Sequence, residues 1–115
     1  MAVGRQRKGD IVAALPREIA KDVETAVAIL RKHGARRIVL YGSLARGDYR
    51  TDSDIDLCYE GIPSEDYFRT VAECIMQIPR RVCVVDIKDA RGLFRERIMR
   101  EGKVLYETRP PSRRG

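Results

Sequence analysis

The strongest constraint on the fold is the short link between two strand-like runs. Arg37-Ile38-Val39-Leu40-Tyr41 is β-branched and aromatic, reads as a buried strand, and stops abruptly at Gly42-Ser43. After a polar, charged stretch, Asp54-Ile55-Asp56-Leu57-Cys58-Tyr59 alternates polar and apolar residues with period two. Parallel pairing of consecutive strands needs a long crossover, usually a complete α-helix. Residues 42–53 are too few for that. The sheet is therefore predicted to be mixed and not doubly wound, with helices on one face.

The other elements follow from periodicity. Residues 17–33 read as a helix after Pro16, with Ile19, Val23, Ala26, Val27 and Leu30 on one stripe. Lys21, Asp22, Glu24, Arg31 and Lys32 fall between them, and His33-Gly34 is the stop. His33 reads as a cation at the helix C-terminus and not as a catalytic base. Ser64 is a suitable N-cap for a second helix with Phe68, Val71, Ala72, Ile75 and Met76 as its apolar face, ending at Pro79. Arg81 to Lys88 is a third strand pattern. A last helix begins near Asp89, carries Leu93, Phe94 and Ile98 inward, and stops at Gly102. Lys103 to Glu107 completes a small α/β (α+β) domain of three to four strands as an edge strand.

With 115 residues and 43% hydrophobic residues, the chain reads as one ordered domain, spanning 1–115, with its core over about 10–107. No apolar run approaches the ~20 residues that cross a bilayer, and MAVGRQRKGD has no apolar segment behind its basic residues. A cytoplasmic protein without a membrane partner is expected. The net charge of +6 lies in the ends: Arg5, Arg7 and Lys8 in residues 1–9, and Arg109, Arg113 and Arg114 in residues 108–115. Taking those six from the 23 Lys and Arg leaves 17, matched by 17 Asp and Glu. No aromatic residues interleave with these basic ends, so nucleic acid is not the expected partner. Cys58, Cys74 and Cys83 form no C-x-x-C pair and read as buried, reduced thiols.

Residues 40–57, LYGSLARGDYRTDSDIDL, carry the chemistry. A strand ending in Gly42-Ser43, followed by a short helix from Leu44-Ala45-Arg46, offers backbone N–H groups and a hydroxyl to a phosphate. Gly42 lets a phosphate approach the backbone closely. Asp54 and Asp56, at i and i+2 on a strand, share a face ~7 Å apart at the backbone. Such a pair suits a hard divalent cation, while Ile55 and Leu57 face the opposite way. Asp86, in an otherwise apolar strand, needs a partner: a metal shared with Asp54 and Asp56, or an arginine. Arg46 pairs either with phosphate oxygens or with Asp48 or Asp52.

Gly42-Ser43, then Asp54-Ile55-Asp56, then an Asp on a later strand resembles the nucleotidyltransferase superfamily related to DNA polymerase beta, closest to its minimal single-domain members. The resemblance covers about residues 17–107 and includes the ending REGKVLYE. It implies the nucleotidyltransferase fold and nucleotidyl transfer assisted by two Mg²⁺ ions, with Mn²⁺ as a substitute, from ATP as substrate. In that scheme Asp54 and Asp56 hold both ions, and Asp86 completes one site and helps deprotonate the acceptor hydroxyl. Gly42 and Ser43, with Arg46, hold the triphosphate. Small stand-alone relatives are often antitoxins that transfer AMP to a HEPN-type toxin, which implies such a partner and homo- or hetero-oligomers. Two other readings stand beside it: modification of a small molecule such as an antibiotic, and a non-catalytic antitoxin or binding module.

Overall fold

The computed structural model describes residues 8–108, so the basic ends lie outside it apart from residues 8, 9 and 108. The elements run α1 (Lys8–Ala13), α2 (Arg17–Lys32), β1 (Arg37–Tyr41), α3 (Ser43–Arg46), β2 (Ile55–Glu60), α4 (Tyr67–Gln77), β3 (Val82–Asp86), α5 (Gly92–Glu101) and β4 (Lys103–Glu107). The short link between β1 and β2 does what its length requires. The two strands are antiparallel, with Tyr41 opposite Asp56 and Arg37 opposite Glu60. Strand β4 is antiparallel on the other side of β1, and β3 lies parallel to β2 across the α4 crossover. The four-stranded sheet has the order β3-β2-β1-β4, a mixed sheet as expected.

Strand alternation divides the sheet into two faces. Ile38, Leu40, Ile55 and Leu57 are fully buried on one face with Val23, Val27 and Leu30 of α2. Each such side chain contributes about 1.5–3 kcal/mol over its exposed state. Helix α1, unforeseen because six residues give little periodic signal, adds Ile11 and Val12 to this core, and Leu15 follows just after it. The opposite face holds Val39, Tyr41 and Cys58, with Ile87, Ala90 and Ile98. Helices therefore do not cover one face alone: α5 reaches the second face through Ile98. Leaving that end of the sheet bare would expose the apolar side chains of β1 and β2.

Two helix faces differ from expectation. Helix α4 turns Thr70 and Cys74 inward, with Ile78 just beyond it, and leaves Phe68, Ile75 and Met76 exposed. In this rotation Glu73 of α4 meets both Lys32 and His33 at the end of α2, with His33 Nε2 2.9 Å from Glu73 Oε1. His33 thus contacts the Glu73 carboxylate at the α2 terminus. On α5 only Ile98 is buried, and Leu93 is exposed. Phe94 lies edge-on to Tyr41, with ring centroids 5.7 Å apart.

Candidate active site

Strand β1 ends at Tyr41, and Gly42 turns the chain into α3 with φ 77° and ψ −159°. Only glycine holds that conformation without strain. A second reason for glycine is space, because a Cβ there would run into the Asp56 carboxylate. The N–H groups of Ser43 and Leu44, in the first turn of α3, have no partner within the helix and are free for an acceptor. Gly42, Ser43 and Asp56 are thus brought together by the antiparallel register of β1 and β2, which sets Asp56 opposite Tyr41.

Asp54 lies just before β2. Its Oδ2 is 4.0 Å from Arg81 Nε, and both side chains are well exposed. The Asp56 carboxyl is raised above its ordinary range, chiefly by burial and next by the charge of Asp54. A hydrogen bond from the Cys83 thiol and the charges of Arg46 and Arg81 pull the other way. A half-buried carboxylate raised by the charge of a neighbouring carboxylate, with that neighbour beside it, forms an acceptor for a divalent cation.

The loop that delivers Asp54 is anchored from beneath. Arg80, at the end of the α4–β3 link, pairs with Asp22 of α2 at 3.1 Å, and both side chains are 12% exposed. The same guanidinium donates to the Thr51 carbonyl at 2.7 Å and the Ser53 carbonyl at 3.2 Å. The one sequence signal for this clamp is an acid inside the α2 apolar stripe, since Asp22 sits between Ile19 and Val23. Arg46 binds Asp48 at 3.2 Å and Glu101 at 3.1 Å, which ties α3 to the end of α5. Its guanidinium is satisfied by carboxylates here, the salt-bridge alternative for that residue.

Asp86 corrects the expected ligand set. In the parallel register Asp86 lies opposite Tyr59, whereas the neighbour of Asp56 is Cys83. Three residues along a strand are ~10 Å and put Asp86 on the other face of the sheet. There it accepts from the Lys88 backbone N–H at 3.0 Å and pairs with Lys88 Nζ at 3.4 Å. It borders a surface hollow of about 330 Å³ with Tyr59, Tyr67 and Phe68. Its partner is therefore a cation of its own segment, and it cannot share a metal with Asp54 and Asp56. Among the described residues no group of three His, Cys, Asp or Glu is arranged to hold a metal ion. Of the three cysteines, Cys58 and Cys74 are buried as expected, and Cys83 is only partly so.

Residues 24–110 match the polymerase beta nucleotidyltransferase family, and the chain belongs to it. More particularly, it is similar to two Methanocaldococcus jannaschii proteins named as candidate protein adenylyltransferases. With MJ0604 it is 33% identical over 79 residues, 62% of this chain and 78% of the relative. With MJ0435 it is 32% identical over 78 residues, 65% of this chain and 84% of the relative. A solved candidate minimal nucleotidyltransferase superposes with a TM-score of 0.57 at 26% identity, covering 87% of this chain and 97% of that one. A toxin–antitoxin crystal structure with AMP-PNP shares the fold, with a TM-score of 0.64 at 21% identity, covering 75% of this chain and 73% of that one. The chain is a nucleotidyltransferase. Among the described residues no helix is long and apolar enough to cross a membrane.

Proposed function

We propose that this nucleotidyltransferase transfers AMP from ATP to a hydroxyl on a partner protein in the cytoplasm. The partner we favour is a HEPN-type toxin, for which the chain would be the antitoxin. The observation that carries the reading is Asp56 held against Gly42 at the mouth of α3, with Asp54 close enough for its charge to act on it. Support for a protein acceptor comes from the archaeal relatives, both named for protein adenylylation. Support for a toxin comes from the fold shared with the toxin–antitoxin pair MntA–HepT.

In the proposed reaction the acceptor hydroxyl oxygen bonds to the α-phosphorus of ATP as its proton passes to water or to a base on the acceptor, the bond from the α-phosphorus to the oxygen bridging to the β-phosphate breaks, and pyrophosphate leaves. The Ser43 hydroxyl and the N–H groups of Ser43 and Leu44 donate to the triphosphate oxygens, and Gly42 admits them to the backbone. Asp54 and Asp56 would hold a divalent cation, Mg²⁺ or Mn²⁺, which neutralises charge developing on the phosphate oxygens when bound. The Arg80–Asp22 clamp keeps the Asp54 loop in place and reduces the reorganisation needed at the site.

The test uses ATP labelled at the α-phosphate, with purified protein and lysate of the native host. One labelled protein band is expected, lost with EDTA and with Asp54→Ala, while Asp54→Ala still co-purifies with that protein. Label on a small molecule, or transfer by Asp54→Ala at the wild-type rate, refutes the reading.

A further inference from the structure

We infer that this site holds one hard divalent cation and not two, because Cys83 occupies the position where a second cation would need a carboxylate. The inference rests on the reading of Asp54 and Asp56 as the cation-binding pair. Its basis is the register of β2 and β3. Asp56 is the Cα partner of Cys83, so the two side chains leave the sheet on the same face, from strands ~4.8 Å apart.

Each side of the Asp56 carboxylate is therefore accounted for. Tyr41 stands opposite it on β1, Gly42 lies against its Oδ2, and Cys83 flanks it on β3. Beyond Cys83, β3 supplies no acid on this face. By alternation the next residue pointing the same way is Val85, and Asp86 is turned to the far side and bound to Lys88. Arg81, an exposed cation just before β3, lies 4.0 Å from Asp54 and adds positive charge beside the carboxylate pair.

Hard cations of the Mg²⁺ class take oxygen ligands, and sulfur suits softer metals. A cation lying on the nucleotide phosphates needs only one or two protein carboxylates, and Asp54 and Asp56 provide them. A second cation at the acceptor side has no phosphate chain to lean on. Its charged ligands must come mainly from the protein, and here the first cation already draws on both carboxylates. A thiol in the third place leaves it short of both charge and oxygen donors. The same replacement removes a carboxylate that could accept the proton of an incoming hydroxyl, so an acceptor that arrives pre-ionised or carries its own base suits this site best.

Equilibrium dialysis against Mn²⁺ and α,β-methylene ATP counts the cations retained per chain. Wild type is expected to retain one Mn²⁺ with its nucleotide, and Cys83→Asp two. Cys83→Ser, which adds no charge, stays at one, and Asp86→Asn also leaves the count at one. As a second readout, Mn²⁺ should raise the melting temperature of Cys83→Asp more than that of wild type. The added carboxylate repels its neighbours until a cation arrives. Two Mn²⁺ per wild-type chain, a fall in the count with Asp86→Asn, or no gain in folded Cys83→Asp overturns the inference. Zero Mn²⁺ on wild type overturns it together with the reading of Asp54 and Asp56 on which it rests.

Discussion

Arg80→Met is the perturbation that most directly tests how the site is supported. In the folded chain Arg80 Nε lies 3.1 Å from Asp22 Oδ2, and its Nη1 satisfies the carbonyls of Thr51 and Ser53. Removing the guanidinium strands a carboxylate among the side chains of α2 and leaves two acceptors without this donor. Breaking a fully buried ion pair from one side costs about 3–5 kcal/mol. With a little water access at both side chains, the lower end applies, about 3 kcal/mol. For a domain of ~100 residues, each kcal/mol moves the melting temperature by about 4–8 °C, so a fall of about 12 °C or more is expected. Circular dichroism during heating measures it. The double variant Asp22→Leu/Arg80→Met leaves no charge buried and should lose less than Arg80→Met alone. A fall under about 4 °C for Arg80→Met, or a double variant no better than the single one, would show that the pair is not the anchor of the Asp54 loop.

Two further outcomes follow from the geometry around Asp56. Gly42→Ala forces a non-glycine residue into a conformation costing about 1–3 kcal/mol and drives its Cβ into the Asp56 carboxylate. Calorimetric titration with a non-hydrolysable ATP analogue should show at least a tenfold loss of affinity, and unchanged affinity would refute a phosphate approach over Gly42. Asp56→Asn removes a carboxylate whose ionisation folding opposes. Its folded pKa is raised, so the penalty is absent well below the unfolded value near 3.8, grows as pH rises through it, and is complete above the folded value. The melting temperature of Asp56→Asn without metal should therefore exceed that of wild type at neutral pH and converge with it in acid. Equal melting temperatures at neutral pH would refute the assigned direction.

What could be read from the sequence depended on whether a signal was local. The β1 boundaries, the mixed sheet and the Gly42-Ser43/Asp54/Asp56 cluster were all visible, because each rests on alternation, a glycine break or a short link. The role expected of Asp86 failed on something that is not local. Within Val82–Asp86, alternation alone makes Cys83 and Val85 one face and Val82, Val84 and Asp86 the other. Which face meets Asp56 depends on the parallel register with β2. A one-residue slip exchanges the two faces, and no residue of β3 announces its partner.

The rotation of α4 failed for a related reason, and it shows what decides between two plausible faces. Phe68, Ile75 and Met76 make the more apolar stripe, and Thr70 and Cys74 the less apolar one. The helix buries the second. Against the sheet, the small side chains of Thr70 and Cys74 permit close packing, and the Thr70 hydroxyl is satisfied within the helix by the Asp66 carbonyl at 2.7 Å. In the same rotation Tyr67 donates to the Val84 carbonyl at 3.3 Å at the N-terminal end, and Glu73 meets α2. Turning Phe68 and Met76 inward would break these polar contacts and force two large side chains into a space built for small ones. Periodicity measures how apolar a stripe is. The space and the partners on neighbouring elements bear on which stripe is buried, and they come from residues 32–33 and 84, outside the helix itself.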